Sequence, residues 1–112
     1  MSLTDIQHVN WDSTIVAGGP VVVEFWHENC PTCKKIEQTV RELPTRIGVK
    51  AKLVRLNVME SKENRRLAIE KGVIGTPTFK VYCRGDEIGE IVGLETLTNL
   101  AGTIENILKD CT

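Results

Sequence analysis

Apolar residues fall into two rhythms along the chain. "PVVVEFW" (20–26) is short, β-branched and almost continuously apolar, the pattern of a strand buried on both faces, as in a parallel sheet. From Pro31 the spacing changes. Cys33, Ile36, Val40, Leu43 and Ile47 recur at gaps of three or four, which lays one apolar stripe along a helix. Pro44 falls inside that stripe and is expected to kink or end the helix. "AKLVRLNVM" (51–59) reads as a second strand. Ser61 suits the N-cap of a short helix reaching about Lys71, with Gly72 as its stop. "PTFKVYC" (77–83) and "EIGEIVG" (87–93) flank "RGD", an antiparallel hairpin turning near Gly85. From Thr96, the positions Leu97, Leu100, Ile104, Ile107 and Leu108 give a last helix one apolar face. A β-α-β unit followed by a hairpin and a helix predicts an α/β fold around a mixed sheet. There is no repeat or linker, and 112 residues fit one domain, 1–112.

Composition narrows the function classes. Fourteen Lys+Arg against 15 Asp+Glu give a net charge of −1, so bulk charge favours neither nucleic acid nor an anionic membrane. No stretch approaches the ~20 apolar residues of a membrane helix. "MSLTDIQHVN" has no basic tip or apolar core, so it does not read as a signal peptide. The expected compartment is the cytoplasm, where structural disulfides are rare. Two of the four cysteines, Cys83 and Cys111, stand alone in the sequence and read as bystander thiols, with a third redox thiol as the alternative.

The chemistry concentrates in "WHENCPTCKK" (26–35). Cys30 ends the loop after the first strand and Pro31 opens the helix, because proline's missing N–H has no helical partner at that position. Cys30 therefore falls at the N-cap, where free backbone N–H groups and the helix dipole favour thiolate over thiol. Cys33 lies one turn on, in register with the apolar stripe. One exposed attacking thiolate and one sheltered resolving thiol suit thiol–disulfide exchange. Half a zinc site is the rival, but zinc wants four ligands, and the remaining Cys83, Cys111, His8 and His27 show no paired spacing. No metal or cofactor is expected.

"VVVEFWHENCPTCKKI", "GVIGTPTFKVY" and "RGDEIGEIVG" together resemble the thioredoxin family, in its order, over about Leu3 to Lys109. The resemblance implies the thioredoxin fold, with helices on both faces of the sheet, and a protein-disulfide oxidoreductase activity. It implies Cys30 as the attacking and Cys33 as the resolving cysteine. Pro77 becomes a cis-proline beside them, and Glu24 takes the place of the family's buried aspartate. Trp26, Pro31, Thr32, Thr76, Pro77 and Gly93 become the groove that receives a partner chain. Without the resemblance, the Thr76–Pro77 bond would be read as trans. The pair here encloses Pro-Thr where the family most often has Gly-Pro, Asn29 replaces an aromatic, and the helix proline comes later.

Glu24 interrupts an apolar run. An ionised acid there costs several kcal/mol, so its pKa should rise and it could accept the Cys33 proton; the plainer reading is a glutamate reaching solvent at a sheet margin. His27, Lys34 and Lys35 read as solvated. The expected function is reduction of disulfides in partner proteins by a Cys30/Cys33 cycle in a monomer, with electrons from a reductase or a low-molecular-weight thiol. The alternatives are a thioredoxin-fold binding module with vestigial thiols, and a metal-binding C-x-x-C protein.

Overall fold

A computed structural model of the chain describes residues 3–16, 19–47, 50–93 and 96–111. The strands are β1 (Leu3–Ile6), β2 (Pro20–Trp26), β3 (Lys52–Asn57), β4 (Thr78–Cys83) and β5 (Asp86–Val92). The helices are α1 (Trp11–Ile15), α2 (Pro31–Ile47), α3 (Lys62–Glu70) and α4 (Leu97–Leu108), with a 3-10 turn at His8–Asn10. The sheet runs β1-β3-β2-β4-β5. β1 and β2 pair parallel to β3, while β4 pairs antiparallel to both β2 and β5. This is the mixed sheet that the sequence predicts.

Strand β2 is central, and its pleat divides the core. Val22 joins Ile36, Val40, Leu43, Phe79, Leu100 and Ile104 under α2 and α4. Val21, Val23 and Phe25 join Trp11, Ile15, Leu56, Ala68 and Tyr82 on the opposite face, against α1 and α3. Alternate strand residues point to opposite faces, so Glu24 and Trp26 share the α2 face with Val22. Ser61 caps its helix as predicted, and Thr96 caps the last helix in the same way. The Ser61 hydroxyl accepts from the Asn64 N–H at 3.0 Å, and the Thr96 hydroxyl accepts from the Asn99 N–H at 3.1 Å. Arg84 (φ 53°) and Gly85 (φ 89°) both take the left-handed region in the two-residue hairpin loop, as its twist requires.

The structure differs from or adds to the sequence reading in three places. Pro44 does not end α2, which continues to Ile47. Its missing N–H costs one helical hydrogen bond, but Leu43, Pro44 and Ile47 are all buried against the sheet, and that burial holds the last turn. Strand β3 is shorter than 51–59: the Val58 N–H still donates across to the Trp26 carbonyl of β2 at 2.8 Å, and the chain turns away at Val58 and Met59. Strand β1 and helix α1, before Pro20, were not expected. Both are too short for a period to show, and tertiary partners define them: β1 pairs with β3, and Trp11 packs on Phe25 and Tyr82 with ring centroids 5.9 and 5.3 Å away.

Candidate active site

The end of β2 delivers the C-x-x-C loop. Cys30 precedes the first residue of α2, and its carbonyl accepts from the Lys34 N–H at 3.1 Å. The Cys33 N–H donates to the Cys30 sulfur at 3.1 Å, so the cysteine caps the helix with sulfur where serine would use oxygen. Such a donor stabilises a thiolate. Cys30 and Cys33 are disulfide-bonded, with Cα atoms 5.2 Å apart. The expected contrast in exposure shrinks: Cys30 retains 5% of its surface and Cys33 2%. The oxidised loop folds both sulfurs inward, and only the ordering agrees with the sequence reading.

The loop before β4 closes the other side. The Cys30 sulfur lies 3.4 Å from the Thr76 carbonyl oxygen. The Thr76–Pro77 bond is cis. The Gly93 N–H donates to the Pro77 carbonyl at 3.1 Å, and Gly93 takes φ 98°. Thus Cys30, Thr76, Pro77 and Gly93 meet in one place although 63 positions of sequence separate the first from the last. Thr76 is half-buried and Pro77 buried; Pro31 is exposed and Thr32 half-buried. His27 is half-buried rather than fully solvated, and its carbonyl accepts from the Cys30 N–H at 3.4 Å. Exposed Met59, Ile69 and Ile74 line a cleft of about 300 Å³ that also includes His27 and Thr76. None of the three stood out in the sequence, because exposure of an apolar residue has no local signature.

Beneath the loop lies a charged cluster. Parallel pairing sets Glu24 opposite Arg55, and both are buried, at 2% and 5% exposure. Arg55 Nη2 is 2.9 Å from Glu24 Oε1. The guanidinium is aligned on another acid, however: Nη1 and Nη2 donate to Glu37 Oε2 and Oε1 at 2.9 and 2.7 Å, a bidentate pair. Among the described residues, neither Glu24 oxygen has a hydrogen-bond partner. Arg41 approaches Glu37 from one turn on, at 2.8 Å, and the Arg55 guanidinium stacks 4.0 Å from the Trp26 ring centroid. Burial pushes the Glu24 carboxyl from 4.5 up to about 7; the Arg55 charge opposes that rise and the Glu37 charge adds to it. Hydrogen bonds from Arg55 hold Glu37 below the usual carboxylate value. Glu37 sits one turn after Cys33 and shares with it, Trp26 and Lys34 a cleft of about 310 Å³. Sequence reading placed Glu24 but missed Arg55 and Glu37. The polar position in "KLVRLN", on the same pleat side as Glu24, was the available signal.

The other two cysteines are not alone. Cys83 and Cys111 are disulfide-bonded, with Cα atoms 5.6 Å apart, and no described cysteine is free. Helix α4 lies along the sheet and returns the chain to the end of β4, a closure over 28 positions that no local pattern reveals.

A paired C-x-x-C at a helix start, beside a cis-proline loop and above a buried acid, defines a dithiol–disulfide protein on an α/β scaffold. The family model for thioredoxin matches residues 2–106. The chain is 36% identical over 109 residues to the chloroplastic thioredoxin M2 of Arabidopsis thaliana, covering 94% of this chain and 57% of that protein. It is 33% identical to a thioredoxin of Synechocystis over 80% of each chain. The solved structure of a mutant thioredoxin from Halobacterium salinarum superposes with a TM-score of 0.81 at 26% identity, covering 96% of this chain and 91% of the other. The protein belongs to the thioredoxin family. It spans 57% and 60% of the two chloroplastic relatives, from Arabidopsis thaliana and Brassica napus. Among the described residues, no helix is long and apolar enough to cross a membrane.

Proposed function

We propose that the protein is a thiol–disulfide oxidoreductase that reduces disulfides in partner proteins, with residues 1–112 acting as one thioredoxin-like domain. The observation that carries this reading is the Cys30–Cys33 pair at the start of α2, with the Cys33 N–H on the Cys30 sulfur and the Thr76 carbonyl 3.4 Å away. In the reduced protein, Cys30 thiolate attacks a partner disulfide. A mixed disulfide forms and one partner sulfur leaves as thiolate. Cys33 then loses its proton to Glu24 and attacks the Cys30 sulfur, which releases the second partner thiol and closes the Cys30–Cys33 bond. A carboxyl lifted to about 7 by burial suits that proton transfer near neutral pH. Two electrons return from a reductase or a low-molecular-weight thiol, so the cycle contributes to electron transport and redox homeostasis. The partner chain lies extended over Trp26, Pro31, Thr32, Thr76, Pro77 and Gly93, and pairs with the Thr76 backbone as an added strand. The acting form is a cytoplasmic monomer.

Trapping tests this cycle. Cys33→Ser should accumulate a mixed disulfide between Cys30 and a disulfide-containing protein, and Cys30→Ser should accumulate none. Equal trapping by both variants would overturn the division of roles. Failure of the wild-type protein to reduce any protein disulfide, with partner binding unaffected by Cys30→Ser, would identify a binding module instead.

A further inference from the structure

Cys83 and Cys111 lie far from the proposed catalytic pair. Strand register sets Cys83 opposite Pro20, at the start of β2, whereas Cys30 follows its end. At ~3.3 Å per residue, the length of β2 puts about 20 Å between the two ends, too far for exchange between the pairs within one molecule. The two sulfurs also differ. Cys83 is buried, at 6% exposure, and Arg84, held at φ 53°, turns its guanidinium back so that Nη1 lies 3.7 Å from the Cys83 sulfur. Cys111 is half-buried and lines a surface cleft of about 780 Å³ with Lys109 and the Lys50–Glu105 ion pair. Cys111 is the more exposed residue of the two and lines the cleft, and Cys83 has a cation that favours it as thiolate.

We propose that Cys83 and Cys111 form a second thiol–disulfide site, separate from Cys30 and Cys33, that exchanges with a low-molecular-weight thiol of the glutathione type at the Cys111 sulfur. An incoming thiolate attacks Cys111 Sγ and forms a mixed disulfide there. The Cys83–Cys111 bond breaks, and its electron pair leaves on Cys83 Sγ as a thiolate beside Arg84. A second thiol attacks the small-molecule sulfur of the mixed disulfide. That releases the small-molecule disulfide and leaves Cys111 as thiolate, and solvent supplies protons. Two small thiols are oxidised for each protein disulfide reduced. In the reverse direction, Cys83 thiolate resolves an adduct on Cys111. The cleft fits this class of ligand: Lys109 and the Lys50–Glu105 pair suit a thiol that carries both carboxylates and an amine.

The test uses Cys30→Ser/Cys33→Ser protein, so its outcome does not depend on the proposed catalytic cycle. The oxidised variant is incubated with reduced glutathione, quenched by alkylation and mapped by peptide mass spectrometry. A glutathione adduct on Cys111 with an alkylated Cys83 is expected, followed by two free thiols, and glutathione disulfide should reverse the change. Arg84→Gln should slow opening about threefold, because a leaving thiol of higher proton affinity leaves more slowly. Adducts on Cys83, or a disulfide that survives glutathione until the protein is denatured, would overturn the site. So would Cys83 and Cys111 remaining unlinked in an oxidising buffer. Wild-type protein gives the same reading if the variant does not fold, because Cys30 and Cys33 fall in a different peptide from either Cys83 or Cys111.

Discussion

At the scale of single residues, the buried acid is set by what Arg55 does elsewhere. Both Nη groups of Arg55 donate to Glu37, so Glu24 has the cation's charge nearby without an aligned donor. A carboxyl that holds its proton more tightly folded than unfolded weakens the fold as pH rises. Here the loss begins near 4.5 and is complete above about 7. That displacement corresponds to roughly 3 kcal/mol. Glu24→Gln should therefore unfold at higher denaturant than wild type at pH 8 and match it near pH 4. In single-turnover kinetics the same variant should slow the resolving step more than the first attack, with the defect fading as pH rises. Glu37→Gln removes a negative charge from beside Glu24 and loosens the hold on Arg55, and both changes lower the proton affinity of Glu24. The pH midpoint of the resolving step should move down, and a carboxyl signal in infrared spectra should deprotonate at correspondingly lower pH. An unmoved midpoint would leave Glu37 with a packing role only. Glu24 was legible as an acid inside an apolar run. Its partners were not, because Arg55 meets it only through strand pairing and Glu37 only through helix packing on that face.

At the scale of elements, β5 and α4 approach closely at one point. A Cβ on Gly89 would lie 2.7 Å from two Ile107 side-chain carbons. Gly89→Ala should destabilise by about 1–3 kcal/mol, as overpacking does, and Gly89→Ala with Ile107→Val should recover part of that loss. Denaturant unfolding of the three variants as a double-mutant cycle measures the coupling, and additive losses would contradict the contact. Elements with a long period or a strong boundary were readable from sequence. Strand β2 matches residues 20–26, Ser61 and Thr96 cap their helices, and the hairpin turns at Arg84–Gly85. The C-x-x-C loop was legible for the same reason, because a buried strand and a helix-opening proline bracket it. Helix α2 running past Pro44 was not legible, because the burial that holds its last turn belongs to the sheet below. Strand β1 and helix α1 likewise exist through partners rather than through their own periodicity.

At the scale of the whole molecule, four cysteines become two closures of different reach. Cys30 and Cys33 join neighbours in one loop, whereas Cys83–Cys111 closes 28 positions that contain β5 and α4. By loop-closure entropy the longer closure contributes about 3–4 kcal/mol. Cys83→Ser/Cys111→Ser should lower unfolding stability by that order, and the gap should vanish once wild type is fully reduced. Matched unfolding curves under oxidising conditions would show that the link adds nothing. Such long-range closure was the least legible feature, since each of these cysteines stands alone in sequence and only the return path of α4 brings them together. The separation of the two pairs by the length of β2 sets the capacity of the chain. A fully oxidised molecule has room for four electrons, held in two wells at opposite ends of a rigid ladder. Each well fills in a two-electron step without altering the other. A redox titration of the chain should therefore take up four electrons in all, and removing either cysteine pair should leave the midpoint of the other unmoved; a chain reduced only at its far end would carry a record of its small-thiol surroundings while its near end turns over.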